Sequence, residues 1–360
     1  MGLEQRRPRR VRFVLAAVAG SVVLAFAIAE VALRVAGYER SYANALNAFH
    51  VNDPDLGYRG RPNLERRFER PQFNVLVQHD DKGFRRVVPP ADPSKVQHQV
   101  FVLGDSVVWG WGVDQGKVVT DQLQRMLPDT RVFNLGLNGA GTVMELVLCG
   151  GEVWHRVVEG DTVVVVFVWN DFFDNVNPTR LHARPTDAGI AVVRPTEQVL
   201  SGTDSVLDRI LVLNSLHTAW SLWKIRRARP SEPEQAAHLK QTDDAAVVTR
   251  EALALMRTLT KVEKGRFLVA YFPGRYETPG EGFESERGFE QDRAFRAAFE
   301  GVAKDAQVET LDLLPAFLEA KKKTPGLRLL IPDDGHPNEA GHEVMARAIA
   351  EVLLHREAGH

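Results

Sequence analysis

Val100 to Asp114 reads VFVLGDSVVWGWGVD. An apolar run climbs into Gly104-Asp105-Ser106, and Trp-Gly-Trp-Gly follows. A serine where a strand turns into a helix can aim its hydroxyl out of a sheet, as in the G-x-S-x-G nucleophile elbow, but Val108 stands where that motif needs its second glycine. The stretch predicts a short strand ending and a helix beginning at Ser106, in some other serine architecture. Gly110 and Gly112 let the following chain turn sharply around a crowded site.

Outward from this stretch runs an α/β rhythm: strand 99–103, helix 118–127, strand 131–135, helix 143–158, strand 162–168. Two further strands are expected at FLVAYF (267–272) and VETLDLL (308–314), with a closing helix over 339–354. The strands are continuous Val-rich runs, as a parallel sheet covered by helices on both faces requires. The pattern is that of a three-layer sandwich on a five-stranded parallel sheet, with a catalytic domain over 99–355. The piece between Asn175 and Gly265 is too long and irregular for one βα unit, so it reads as an insertion and a candidate lid. Within it, Val206 to Arg229 predicts a helix of leucines and tryptophans ending in basic residues, better explained by a core face and the helix dipole than by a membrane surface.

Upstream, residues 38–98 are polar and broken by prolines, and only FNVLVQ (73–78) resembles a strand. They read as an extension wrapped on the main domain, partly linker. His79-Asp80-Asp81-Lys82-Gly83-Phe84-Arg85 lacks calcium-loop spacing and reads as a turn followed by an anchoring phenylalanine, so no metal is expected. Residues 1–37 carry Arg6, Arg7, Arg9, Arg10 and Arg12 before the uncharged stretch Phe13 to Ala29. By the positive-inside rule the tail stays cytoplasmic and the rest is extracytoplasmic, on a single-pass anchor. Ala27-Ile28-Ala29 also fits a signal-peptidase site, but the apolar run is long for a signal peptide and EVALRVAG continues it, so the uncleaved anchor is preferred.

Composition narrows the field. With 45 Lys+Arg against 47 Asp+Glu in 360 residues, the net charge is -2, which gives no bias toward nucleic acid. The single cysteine, Cys149, excludes an intrachain disulfide and a cysteine zinc cluster, and is expected to pack as a small hydrophobe.

Chemistry should gather where the strands of such a sheet end. The exits carry Gly104-Asp105-Ser106, then Asn134 to Gly139, then Trp169-Asn170-Asp171, and before the closing helix Asp333-Asp334-Gly335-His336-Pro337-Asn338. A serine, backbone donors, a carboxamide and an Asp/His pair are the parts of acyl transfer. Thr142-Val143-Met144-Glu145 has capping-box spacing, so a helix start should point free N–H groups at the site.

These four blocks, in this order over 99–354, resemble the SGNH/GDSL hydrolase superfamily. The resemblance implies a flavodoxin-like sheet and no cofactor. It also implies Ser106 as nucleophile, His336 as base, Asp333 as its orienter with Asp334 the rival, and an oxyanion hole from the Ser106 and Gly139 amides and the Asn170 carboxamide. Gly139 falls at the family's glycine position, while Gly136 is explained by a tight turn. Val168 departs from the family's G-x-N-D form, which touches pocket shape more than chemistry. Singly, Ser106 could be an N-cap, Asn170 and Asp171 turn formers, and the Asp333–Asn338 cluster a helix cap; together and in order they favour catalysis. Asp105 and Asp171 are expected to be scaffold hydrogen-bonders. Trp109 and Trp111 are candidates to line the substrate cleft, with core packing the competing reading. The expected function is hydrolysis of acyl, chiefly O-acetyl, esters of an envelope glycan or lipid. An O-acyltransferase acting on polysaccharide and a non-catalytic polysaccharide-binding protein are the alternatives.

Overall fold

The computed structural model describes residues 7–35, 48–195, 200, 210, 212–213 and 232–355. Two units divide the chain, residues 1–48 with 201–231, and residues 49–200 with 232–360. The helix expected over 206–229 falls outside the described residues, apart from 210 and 212–213.

In the first unit, α1 (Arg7–Val35) is the one described helix long and apolar enough to cross a membrane, over Arg12–Val35. At about 1.5 Å per residue its 29 residues rise ~44 Å, more than a hydrocarbon core of ~30 Å needs. Glu30 ends the uncharged stretch but not the helix, because Arg34 one turn on pairs with it at 2.7 Å.

The second unit opens with two antiparallel hairpins, β1 (His50–Asp53) with β2 (Gly57–Gly60) and β3 (Glu65–Arg70) with β4 (Phe73–Gln78). There follow β5 (His98–Gly104), α2 (Ser106–Trp109), α3 (Val119–Met126), β6 (Thr130–Gly136), α4 (Thr142–Leu148), β7 (Thr162–Phe167) and α5 (Asp171–Asp174). A hairpin of β8 (His182–Thr186) and β9 (Gly189–Val193) leads to α6 (Glu232–Val262). Then come β10 (Arg266–Tyr271), α7 (Glu286–Asp305), β11 (Glu309–Asp312), α8 (Leu314–Lys323) and α9 (Glu339–Leu354).

Five of these strands form one parallel sheet in the order β11-β10-β7-β5-β6. Alternation along each strand divides the core. Phe101, Leu103, Val163, Val165 and Val269 face α4, α6 and α7, while Val102, Val164, Val166 and Leu268 face α3, α8 and α9. All six residues of β7 are buried, so this central strand reads as an unbroken apolar run. The chain steps from β5 to β6 on one side and returns to β7 on the other, which opens a crevice above the carboxyl ends of β5 and β7.

Three elements differ from expectation. The helix expected over 143–158 is α-helical only to Leu148, then widens at Cys149–Val153 and tightens at Trp154–Arg156. The adjacent glycines Gly150 and Gly151 favour that break. Residues 50–53, 57–60 and 65–70 are strands, paired and partly buried, and not linker. Finally, α6 buries Val248, Leu253 and Met256 in the core and supplies the crossover from β7 to β10, inside the span expected as an insertion.

Candidate active site

Ser106 opens α2 at the end of β5. Asp105 precedes it as N-cap, its Oδ1 accepting the Val107 amide at 2.8 Å. After one turn Gly110 takes φ of +85° and donates its N–H back to Ser106 O, a left-handed cap that a side chain would strain. The serine is 5% exposed. Its Oγ lies 2.9 Å from His336 Nε2 and 3.3 Å from Asp105 Oδ2, so the shorter partner is the imidazole.

His336 arrives on the turn before α9. Its Nδ1 is hydrogen-bonded to Asp334 Oδ1, and Asp334 Oδ1 also accepts the His336 amide at 3.2 Å. The other carboxylate oxygen of Asp334 accepts Trp111 Nε1–H at 3.0 Å. The carboxylate bonded to the imidazole is thus Asp334, not the expected Asp333. Asp333 sits exposed at the corner of the turn with φ of +61°, and no hydrogen bond joins it to His336. Burial alone would raise the Asp334 carboxyl, but hydrogen bonds from His336 and Trp111 outweigh it and hold its pKa below the usual range. A carboxylate on Nδ1 keeps the proton of a neutral imidazole there, leaving Nε2 to accept from Ser106.

Around the serine, the amides of Ser106 and Gly139 donate to no other described residue. Gly139 has φ of +69°, so the backbone favours glycine, and a methyl group built on it would stand 2.5 Å from Arg180 Nη1 and push that side chain's end aside. Arg180 donates to the Gly139 carbonyl at 2.6 Å and pairs with Asp174 at 3.0 Å, fixing this loop. The Asn170 amide nitrogen donates to Asp174 Oδ2 at 3.1 Å and to Asp105 Oδ2 at 3.3 Å, so it lies beside the cap of α2 and faces carboxylates on both sides. The expected capping box is not formed. Gly141 is the N-cap of α4, Thr142 is already helical, and the Val143 amide is capped by Asn175 Oδ1 at 2.9 Å.

With this geometry in view, sequence comparison is decisive: the profile of the GDSL-like lipase/acylhydrolase family matches residues 102–344. The chain belongs to the GDSL-like lipase/acylhydrolase family. Among curated proteins none matches it. Among solved structures, a lipolytic protein of the G-D-S-L family from Veillonella parvula is 13% identical, aligned over 71% of this chain and 98% of its own, with a TM-score of 0.41. Axe2, an acetylxylan esterase from Geobacillus stearothermophilus, is 14% identical over 72% and 94%, with a TM-score of 0.42.

Neither tryptophan lines a cleft in this GDSL-like acylhydrolase. Trp109 is 0% exposed; it packs among Phe49, His50 and Phe68, and its Nε1–H donates to His79 Nε2 at 3.2 Å. Trp111, 3% exposed, stacks on His336 at 5.4 Å while its Nε1–H binds Asp334, so it touches both the imidazole and the carboxylate paired with it. Sequence reasoning missed Arg85, which is 1% exposed. Its guanidinium donates to the carbonyls of Leu76, Trp109, Gly110 and Val113 and to the Gln115 side chain, clamping the loop that follows the serine. Burial draws its pKa down only to about 10, so it stays cationic at neutral pH. His79 and His342 are structural: burial lowers each to about 3, and His342 Nδ1 accepts the Val119 amide at 2.9 Å.

Behind Asp105 lie Glu145 and Asp171, both fully buried, with three of their four carboxyl oxygens lacking a hydrogen-bond partner. Desolvation first, then repulsion from Asp105 and, at Asp171, from Glu145, pushes both pKa values well above the usual carboxylate range. Among the described residues no group of three or more His, Cys, Asp or Glu is placed to hold a metal ion.

Proposed function

We propose that this GDSL-like acylhydrolase is a serine esterase in which Ser106, His336 and Asp334 act as one relay. The observation that carries the reading is the unbroken contact from Ser106 Oγ to His336 Nε2 and from His336 Nδ1 to Asp334, at the crevice above β5 and β7. Ser106 Oγ attacks the ester carbonyl as its proton passes to His336 Nε2, and Asp334 stabilises the imidazolium. The carbonyl oxygen, now negative, meets the Ser106 and Gly139 amides, with Asn170 joining by turning an N–H from a carboxylate toward it. The alcohol leaves with the proton from His336. Water then attacks the acyl-enzyme, giving its proton to His336, and the acid departs as Ser106 regains its proton.

For substrate we infer an acyl ester, chiefly O-acetyl, on a glycan or lipid of the cell envelope. Support comes from the apolar helix α1 behind a cluster of arginines, which favours an anchor with the catalytic unit outside the cytoplasm. The deciding experiment is labelling by a fluorophosphonate together with turnover of p-nitrophenyl acetate. Wild type should label and turn over, and folded Ser106→Ala should do neither; labelling that survives in Ser106→Ala overturns the mechanism.

A further inference from the structure

We propose that Arg275 is a specificity-determining residue that receives an anionic group, a carboxylate or phosphate, on the alcohol portion of the ester; this rests on the esterase reading above. Arg275 lies in the loop that leaves β10 at the carboxyl edge of the sheet, the edge that also bears Ser106 and Asn170. In the strand order, β10 stands on the far side of β7 from β5 and β6, so Arg275 and the Gly139 loop flank the serine from opposite sides.

The side chain is set against the loop of the base. A methyl group built on Gly335, the residue before His336, would stand 3.2 Å from Arg275 Cδ and 3.8 Å from its Nη1. The guanidinium is held by two rings, its central carbon 5.2 Å from the centroid of Tyr276 and 5.2 Å from that of Phe283. Yet among the described residues it makes no hydrogen bond and no ion pair. Asp292, the carboxylate whose charge it feels, accepts the Tyr276 amide instead and lies beyond ion-pair distance. Three other arginines near the site are engaged: Arg180 is paired with Asp174, Arg296 with Glu277 and Asp312, and Arg85 is hydrogen-bonded to five internal acceptors. A planar, half-buried fork with its donors unused, fixed by stacking one residue from the base, is prepared for bidentate recognition of an oxyanion.

The test uses two matched pairs: an O-acetylated oligouronate against its carboxyl-reduced counterpart, and acetylglycerol phosphate against acetylglycerol. The pairs separate a sugar acid from a lipid-type phosphate. Wild type should prefer the charged member of at least one pair by about ten- to a hundredfold in kcat/KM, carried by KM. Arg275→Gln should bring that ratio close to one, and Arg275→Lys should keep part of it. A purely structural role would depress both members alike and leave the ratio unchanged. Absence of any preference, or a preference that Arg275→Gln leaves intact, overturns the proposal. If wild type hydrolyses none of the four, the esterase reading fails separately. Calorimetry of Ser106→Ala with the deacetylated oligouronate and glycerol phosphate then decides for Arg275: binding lost on adding Arg275→Gln supports it, and no binding, or binding indifferent to the change, overturns it.

Discussion

Asp333 and Asp334 differ by one peptide unit, yet only Asp334 meets the imidazole. If Asp334 orients His336 and stabilises its charged form, Asp334→Asn should leave the fold intact while lowering kcat on the order of 10³- to 10⁴-fold, because an amide favours the wrong tautomer. Asp333→Asn should stay within about threefold of wild type, as for other exposed sites away from the chemistry. Steady-state kinetics on p-nitrophenyl acetate separates the two, and equal losses would return the orienting role to Asp333. That Ser106 and His336 meet was readable because each sits in a block with its own spacing at the edge where the predicted strands end. The choice of aspartate was not, since it hangs on a left-handed φ at Asp333 and on an indole from a loop more than 200 residues earlier. Trp111 shows the same limit: an aromatic after GDS can face substrate, core or base, and only the packing decides.

At the level of elements, the hairpins β1–β4 and the loop after them brace the chain around Ser106, through Tyr58 of β2, whose hydroxyl donates to the Asn138 carbonyl, and through Arg85, which follows β4. Arg85→Leu should lower stability by at least about 3 kcal/mol, since several buried acceptors lose their donor and each orphan costs about 1–3 kcal/mol. Chemical denaturation measures it; a cost below about 1 kcal/mol would mean the clamp is dispensable. The hairpins were hard to read because β3 spells ERRFER, with Phe68 its one buried side chain, and so lacks alternation over more than one residue. The closing helix α9 was legible to its ends because Asn338 caps it, accepting the Gly341 amide, and apolar residues recur at helical spacing. Another property belongs to α4 and α5. A carboxyl whose pKa rises on folding holds its proton more tightly in the native chain than in the unfolded one. Stability from Glu145 and Asp171 is therefore greatest below the unfolded carboxyl range and falls as pH climbs toward the folded values. Glu145→Gln should gain on wild type in thermal melts at pH 8 relative to pH 5; an identical difference at both would contradict the assignment.

Across the whole molecule, the five parallel strands were legible because continuous Val-rich runs between helical stretches leave few alternatives. Segment assignment between β7 and β10 was less so, because a helix that serves the core and an added excursion share one long polar-looking stretch. For the apolar helix, reporters fused at the C-terminus should show activity outside the membrane and silence in the cytoplasm. The intact mass of protein extracted from membranes should include the residues before Glu30. A mass lacking everything up to Ala29 would convert the anchor into a cleaved leader. One further consequence follows from the contact between Ser106 and His336, which are 230 positions apart in the chain. At about 5–20 residues per second, a ribosome needs on the order of ten to fifty seconds to travel from one to the other. If His336 is the base of Ser106, the serine lacks it throughout that interval and until the turn before α9 has docked. A growing chain should then be chemically silent toward the cell that makes it, and any C-terminal truncation short of residue 336 should abolish hydrolysis even where the sheet survives.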